Sequence, residues 1–469
     1  MPGTGGQFSE SAFQPSDKPF TVDNVSRNDR LAEIARGQHP RILATYGGEY
    51  SDPKLERMVA KVVGQLTFDP ENPTQTYRIT ILDSPNVNAF ALPGGYLYVT
   101  RGLLALANDS AELAAVLAHE MGHVTANHGI ERQRREAEEA IASRVVSDVL
   151  GPSPDTSAAV IRGKLRLAQF SRNQELEADA IGIRASGRAG FDAYAASRFL
   201  QSMASYSDLR SVNGAADASL DFLASHPNAP QRIDLALRHA RQFGAAGTGT
   251  RDRDAFLAGI DGLLFGDKAE EGFVRGLTFL HPKLGVAFSV PEGFTIDNAA
   301  AAVTATGPGD TALRFDGVAL APDVTLESYL RSGWVAGLDP TSVKPATIGG
   351  REGAVAQASA DGWRFDVAVV RDGGQVYRLL TAAPASSGAL DSVARSVSGS
   401  FRFLSPSERA ALKPLRIRVV DVRAGDTLAS MAERMTGVDR KAELFRVLNA
   451  LTPGASLQPG SKVKIVSDR

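Results

Sequence analysis

The chain has 469 residues, 43% hydrophobic and 22% charged, with a formal net charge of -2. That length exceeds one ordinary core and points to about three domains, and the balanced charge gives no electrostatic footing for nucleic acid or an anionic membrane surface. With no cysteine, disulfide frameworks, thiolate metal sites and cysteine nucleophiles are excluded, so any metal must be held by histidine and carboxylate.

No stretch is apolar for the length a bilayer crossing needs, and the polar, Gly/Pro-rich start M-P-G-T-G-G-Q-F-S-E lacks the character of a signal peptide. Either the protein is cytosolic or an export signal has been removed. Residues 1–48 read as a flexible lead ending in a short helix around Asp29 to Arg36. An amphipathic helix is predicted from Asp52 to Gly64 and a strand from Tyr77 to Leu82. The segment N-A-F-A-L-P-G-G-Y-L-Y-V-T at 88–100 reads as a Pro93-Gly94-Gly95 turn leading into a strand, Tyr96 to Thr100.

The next segment, D-S-A-E-L-A-A-V-L-A-H-E-M-G-H, opens at Asp109. Asp109 can cap a helix, and Glu112 at the third helical position closes a capping-box-like start. His119 and His123, four apart, lie one above the other on such a helix and can reach one metal ion. Glu120 beside them can take a proton from water. The chemistry this spacing indicates is zinc-dependent peptide hydrolysis; the alternative is a closed zinc site that merely folds the domain.

A charged helix continues from Glu131 and breaks at Gly151 to Asp155. Helices are predicted again from about Ala158 to Ser186 and from Asp192 to Tyr206, and residues 243–252 form the exit from this helical region. A catalytic zinc site needs a third protein ligand. A metzincin would have glycine three residues after His123 and histidine three further on, where this chain has Ala126 and Gly129. His128 falls on the opposite side of a continuous helix, at about 100° per residue, and is read as structural. Downstream, in S-R-N-Q-E-L-E-A-D-A-I-G at 171–182, Glu175 and Asp179 share one helix face. Glu175 could bind the metal while Asp179 accepts a hydrogen bond from a ligand histidine; Glu177 points elsewhere.

Three motifs, N-A-F-A-L-P-G-G at 88–95, H-E-M-G-H at 119–123 and E-L-E-A-D at 175–179, make residues 50–265 resemble the HtpX/BepA-type gluzincin metallopeptidases, a family that includes the CAAX prenyl endopeptidase. The resemblance implies one Zn2+ per chain held by His119, His123 and Glu175, with Glu120 as general base. It also implies that Tyr96, Leu97, Tyr98 and Val99 form an edge strand that pairs with an extended substrate. Lacking a spanning segment, the chain matches the soluble branch. By the same resemblance His226, in F-L-A-S-H-P-N-A-P-Q-R-I, is a candidate fourth, inhibitory ligand that holds the enzyme latent. A loop histidine or a substrate-binding histidine is the other reading. Arg232 in that segment could steady the loop or an oxyanion.

After Gly272 the pattern turns to alternating strands, as in Val286 to Val290 and Trp363 to Val369, with a hairpin turn at Asp372-Gly373-Gly374 and helices at Thr325 to Gly333 and Ser387 to Val397. This predicts an α+β domain over 272–404, in which L-G-V-A-F-S-V-P-E-G-F at 284–294 faintly resembles PsbP-like domains. Residues 415–469 read as strand, helix, helix, strand. The runs V-R-A-G-D-T-L-A-S-M-A, L-F-R-V-L-N-A-L and L-Q-P-G-S-K-V-K-I resemble a LysM module. That resemblance implies a glycan groove at Gly425, Asp426, Thr427 and Asn449, but the segment has no Trp or Tyr for stacking on a sugar, and protein contact is the alternative.

The expected fold is multidomain: a mainly α-helical gluzincin metallopeptidase domain with a small sheet at 49–265, the α+β domain, then a small β-α-α-β LysM-like domain. The expected activity is zinc metalloendopeptidase cleavage of unfolded or misassembled envelope proteins, in the bacterial periplasm or cell envelope with the export signal removed. The C-terminal module would contact peptidoglycan or envelope proteins. The alternative is a chaperone-like or peptidoglycan-associated binding factor in which proteolysis is secondary.

Overall fold

The structure is a computed structural model that describes residues 30–68, 77–92, 94–150, 154–212, 222, 226, 230–299, 302–452 and 454–468. Helix α1 (Arg30–Thr45) is longer than the sequence suggested and runs through Pro40. Proline removes one helical N–H, but Ala35, Ile42, Leu43 and Tyr46 gain a face to pack on, formed by Leu82, Tyr96 and Tyr98. Helix α2 (Pro53–Leu66) begins where expected: the Asp52 side chain accepts from the Lys54 and Leu55 amides, proline opens the first turn, and Leu55, Val59, Val62, Val63 and Leu66 face the core.

Strands β1 (Arg78–Leu82), β2 (Ala89–Leu92) and β3 (Tyr96–Thr100) form a sheet in the order β1-β3-β2. This corrects the edge-strand expectation. Tyr96, Leu97, Tyr98 and Val99 lie in the middle strand, parallel to β1 and antiparallel to β2. Every residue of β3 is buried, as a continuous apolar run covered on both faces requires. The edge beside the motif helix is β2 instead. Gly94 and Gly95, at φ 92° and 76°, make the turn between them; Pro93 lies outside the described residues.

Next come α3 (Arg101–Leu106), the motif helix α4 (Ser110–Thr125), α5 (His128–Leu150), α6 (Pro154–Arg188), α7 (Ala195–Val212), α8 (Pro230–Ala240), α9 (Arg253–Ile260) and the short strand β4 (Leu264–Phe265). Helix α4 is buried on every side from Ser110 to Gly122. It crosses α6 at backbone contact: a Cβ at Gly182 would lie 2.8 Å from the His119 nitrogen, and one at Gly122 would lie 3.2 Å from the Ala178 carbonyl oxygen. Among the described residues, no helix is long and apolar enough to cross a membrane.

The middle block is α+β, as expected. It comprises β5 (Phe273–Arg275), β6 (Thr278–His281), β7 (Val286–Ser289), β8 (Thr295–Ala299), β9 (Ala302–Gly307), β10 (Thr311–Ala319), α10 (Leu326–Leu330), β11 (Lys344–Ile348), β12 (Arg351–Ala360), β13 (Trp363–Asp372), β14 (Gln375–Pro384), α11 (Leu390–Ser400) and β15 (Arg402–Phe403). Among the described residues a seven-stranded sheet runs β11-β12-β13-β14-β10-β9-β8 and a four-stranded one β15-β7-β6-β5. Phe279, Phe288, Phe315, Tyr377, Val397 and Phe401 form the core between them, and Leu326 and Leu330 of α10 cover Val367, Val369 and Val376.

After α12 (Pro406–Ala411), the chain folds as β16 (Leu415–Asp421), α13 (Leu428–Glu433), α14 (Lys441–Leu448) and β17 (Lys462–Ser467), the predicted β-α-α-β order. This unit is welded to the first domain. Strand β16 pairs with β4, Leu415 opposite Phe265 and Arg416 opposite Leu264. Ile417, Met431, Phe445 and Val466 belong to one core with Leu103, Leu104, Leu257 and Ile260. Lys464, 0% exposed, donates from Nζ to the carbonyls of Ala105, Leu106 and Ala107 at 2.8, 3.0 and 2.7 Å. Burial pulls its pKa down, opposed by the Glu112 carboxylate, and the carbonyl end of α3 favours the cation. The expectation for Asn449 is corrected here. Its side chain is buried, donating to the Phe445 and Lys464 carbonyls and accepting from the Lys464 amide, so no part of it faces a ligand. Gly425 is exposed in the turn before α13. In that turn Asp426 accepts from the Arg423 amide and Thr427 caps the helix.

Candidate metal centre

The start of α4 is fixed by charge. Asp109 accepts from the Glu112 amide at 2.8 Å and Glu112 accepts from the Asn108 amide at 2.8 Å, one residue ahead of the expected box. Arg251 and Arg198 reach Asp109 at 2.7 and 3.4 Å. Three turns on, His119 and His123 bring their Nε2 atoms within 3.1 Å of each other. Helix α6 supplies Glu175, whose oxygens lie 3.5 Å from His119 Nε2 and 3.4 Å from His123 Nε2. His226 arrives from the far segment, its Nδ1 3.0 Å from Glu175 and 3.3 Å from His119. These four residues offer ligand atoms all within 4.8 Å of one another.

The donor set fits a single zinc ion: imidazole nitrogens and one carboxylate converge on a point, with no thiolate. The tautomers agree. His119 Nδ1 lies 2.9 Å from Asp179, so its proton belongs there and the Nε2 lone pair faces the centre. The electrostatics also call for positive charge. Burial opposes a proton on His119, yet the hydrogen bonds and charges of Asp179 and Glu175 override it and lift the pKa to about 9. Burial would raise Glu175, but its contacts with His119 and His226 hold it well below the usual carboxylate range. Burial first, then the neighbouring imidazoles, push His123 well below its ordinary value.

Glu120 is buried, with Oε1 unpartnered and 3.5 Å from His226 Nε2. Burial raises its pKa, countered in part by His226 and His119. Arg232, left open by the sequence, is a clamp: it holds Asp179 through two bonds of 2.7 and 2.8 Å and reaches Glu175 at 3.1 Å and the His226 carbonyl at 3.3 Å.

His128 departs from expectation. The helix ends at Thr125, and Asn127 adopts φ 57°, so His128 opens a new helix and turns back towards the site. Its Nδ1 lies 2.9 Å from His123 Nδ1 and its Nε2 3.3 Å from Glu177. Asparagine is the non-glycine residue most at home in that left-handed conformation, and it was the available signal. The edge strand β2, packed beside α4, was missed because Ala-Phe-Ala-Leu ahead of Pro93 reads as the approach to a turn.

Residues 49–240 match Peptidase family M48. The putative beta-barrel assembly-enhancing protease of Vibrio cholerae serotype O1 is 30% identical over 234 residues, covering 48% of this chain and 46% of that protein. The mitochondrial metalloendopeptidase OMA1 of Arabidopsis thaliana is 34% identical over 190 residues, covering 40% and 36%. Its namesake in Schizosaccharomyces pombe is 33% identical over 234 residues, covering 48% and 65%. The chain thus spans less than two thirds of each of these relatives. The solution structure of cyanobacterial PsbP from Synechocystis aligns with 28% of this chain and 98% of its own at 14% identity, with a TM-score of 0.23 that carries no argument.

Proposed function

We propose, from the premise that residues 49–240 form a peptidase family M48 domain, that the chain is a zinc-dependent metalloendopeptidase acting on unfolded or misassembled proteins of the bacterial envelope. The observation that carries this reading is the convergence of His119, His123 and Glu175 with Glu120 buried alongside. Zinc, when bound there, supplies Lewis acidity that acidifies water and polarises the scissile carbonyl. Glu120, as carboxylate, takes the proton of the attacking water and delivers it to the leaving amine. Asp179 and Arg232 keep His119 turned towards the centre. Strand β2 offers its outer edge to a substrate backbone, and main-chain pairing supports acceptance of many sequences provided they are extended. The name of the Vibrio relative, which speaks of beta-barrel assembly, supports an envelope setting.

His226 sits among the ligand atoms, and we read it as an inhibitory fourth ligand that keeps the site latent until its segment moves. The β-α-α-β order of the C-terminal unit and its exposed Gly425 turn are compatible with contact to peptidoglycan or envelope proteins.

Cleavage of casein by the zinc-loaded chain, paired with Glu120→Gln, tests the central claim. The substitution is expected to slow turnover by roughly 10² to 10⁴-fold; equal measurable rates would reject Glu120 as base, and no cleavage by either would point to a latent enzyme or a binding factor, between which His226→Ala decides. His226→Ala is expected to raise the casein rate, and an unchanged or lower rate rejects latency.

A further inference from the structure

We propose that His128 and Glu177 are positioning residues that form a relay behind His123, fixing which of its nitrogens carries the proton; this rests on the metal-site reading above. His123 turns Nε2 to the centre, beside His119 Nε2 and Glu175. A ligand imidazole must leave that nitrogen bare, so its proton sits on Nδ1 and needs an acceptor in a dry place. The atom facing it is His128 Nδ1, at 2.9 Å. For His128 to accept there, its own proton must be on Nε2, and that atom lies 3.3 Å from Glu177 Oε2. The donor chain then runs one way, from His123 Nδ1–H to His128 Nδ1 and from His128 Nε2–H to Glu177, with every proton assigned.

The surroundings hold this geometry. His128 is 2% exposed, its carbonyl accepts from Gln174 Nε2 at 3.1 Å, and Asn127 sets the reversal that aims the ring inward. Glu177 is two residues from Glu175, about 200° around the helix, so it cannot reach the centre directly. It reaches His123 through His128 instead. Helix α6 therefore supplies three acids with separate tasks: Glu175 at the centre, Asp179 behind His119 and Glu177 behind His123.

The test uses the full chain, Zn2+ alone as the probe, competition with a chromophoric chelator for affinity, and imidazole 1H–15N spectra to locate the His123 proton. His128→Leu removes the acceptor, whereas His128→Asn can return an oxygen near the Nδ1 position. His128→Leu is expected to weaken zinc by about 10 to 100-fold and to lose the single Nδ1–H form of His123. His128→Asn should restore most of the affinity and the Nδ1–H signature. Parent-like affinity and tautomer in His128→Leu would overturn the relay, as would an Asn variant no better than Leu. Should His128→Leu not fold, Glu177→Ala decides, because that side chain is 35% exposed: weaker zinc binding supports the relay and unchanged binding overturns it. A parent chain that takes up no zinc would sink the metal-site reading itself, and the relay with it.

Discussion

Glu120 must be deprotonated to act, so its rate contribution falls as pH drops through its pKa. Burial raises that pKa in the metal-free site and the charge of bound zinc opposes the rise, so kcat/KM is expected to show an acid limb set by Glu120. An acid limb unchanged in the residual activity of Glu120→Gln would count against Glu120 as the base. The ligand pair and Glu120 were legible because an i, i+4 spacing on one helix is a local property. Glu175 and Asp179 followed from the same rule on a second helix. The roles of Arg232 and His128 were not legible: one depends on a contact 53 residues away in sequence, and the other on a helix that stops at Thr125 rather than continuing.

At the scale of elements, the α4–α6 crossing positions the centre. Gly182→Ala would drive a methyl to within 2.8 Å of the His119 amide nitrogen. Backbone cannot yield as a flexible side chain does, so the variant should lose about 1 to 3 kcal/mol. The readouts are a lower melting midpoint and weaker zinc binding, and a parent-like melt would show that the helices can part without cost. Helix starts were readable because Asp52, Asp109, Thr325 and Thr427 announce them by capping. The length of α1 was not, since Pro40 argues locally for a stop and only packing on Tyr96 and Tyr98 carries the helix through. Strand order likewise escaped the pattern: alternation says which faces are buried, not which strand has neighbours on both sides.

For the whole molecule, the change of texture near Gly272 and the break near Pro414 divide the sequence into three blocks, and residues of the first and last share a core. Lys464→Met takes the Nζ donor from the Ala105 and Ala107 carbonyls, while that of Leu106 keeps Asn108 Nδ2 at 3.1 Å, a loss of about 1 to 3 kcal/mol or more. Because the C-terminal unit and the peptidase domain are one packed body, their melting transitions are expected to fall together. A peptidase transition that stays put while the C-terminal unit alone is destabilised would show the weld to be nominal.

Phe265 and Leu415 are neighbours across a strand pair. Everything between them therefore leaves the sheet and rejoins it at one place, so the middle domain is an insertion carried by a hairpin. Synthesis then imposes a schedule. A nascent chain holds His119, His123, Glu175 and Glu120 long before it holds the strand that closes their domain, and a ribosome-stalled chain ending before residue 415 is expected to leave casein intact.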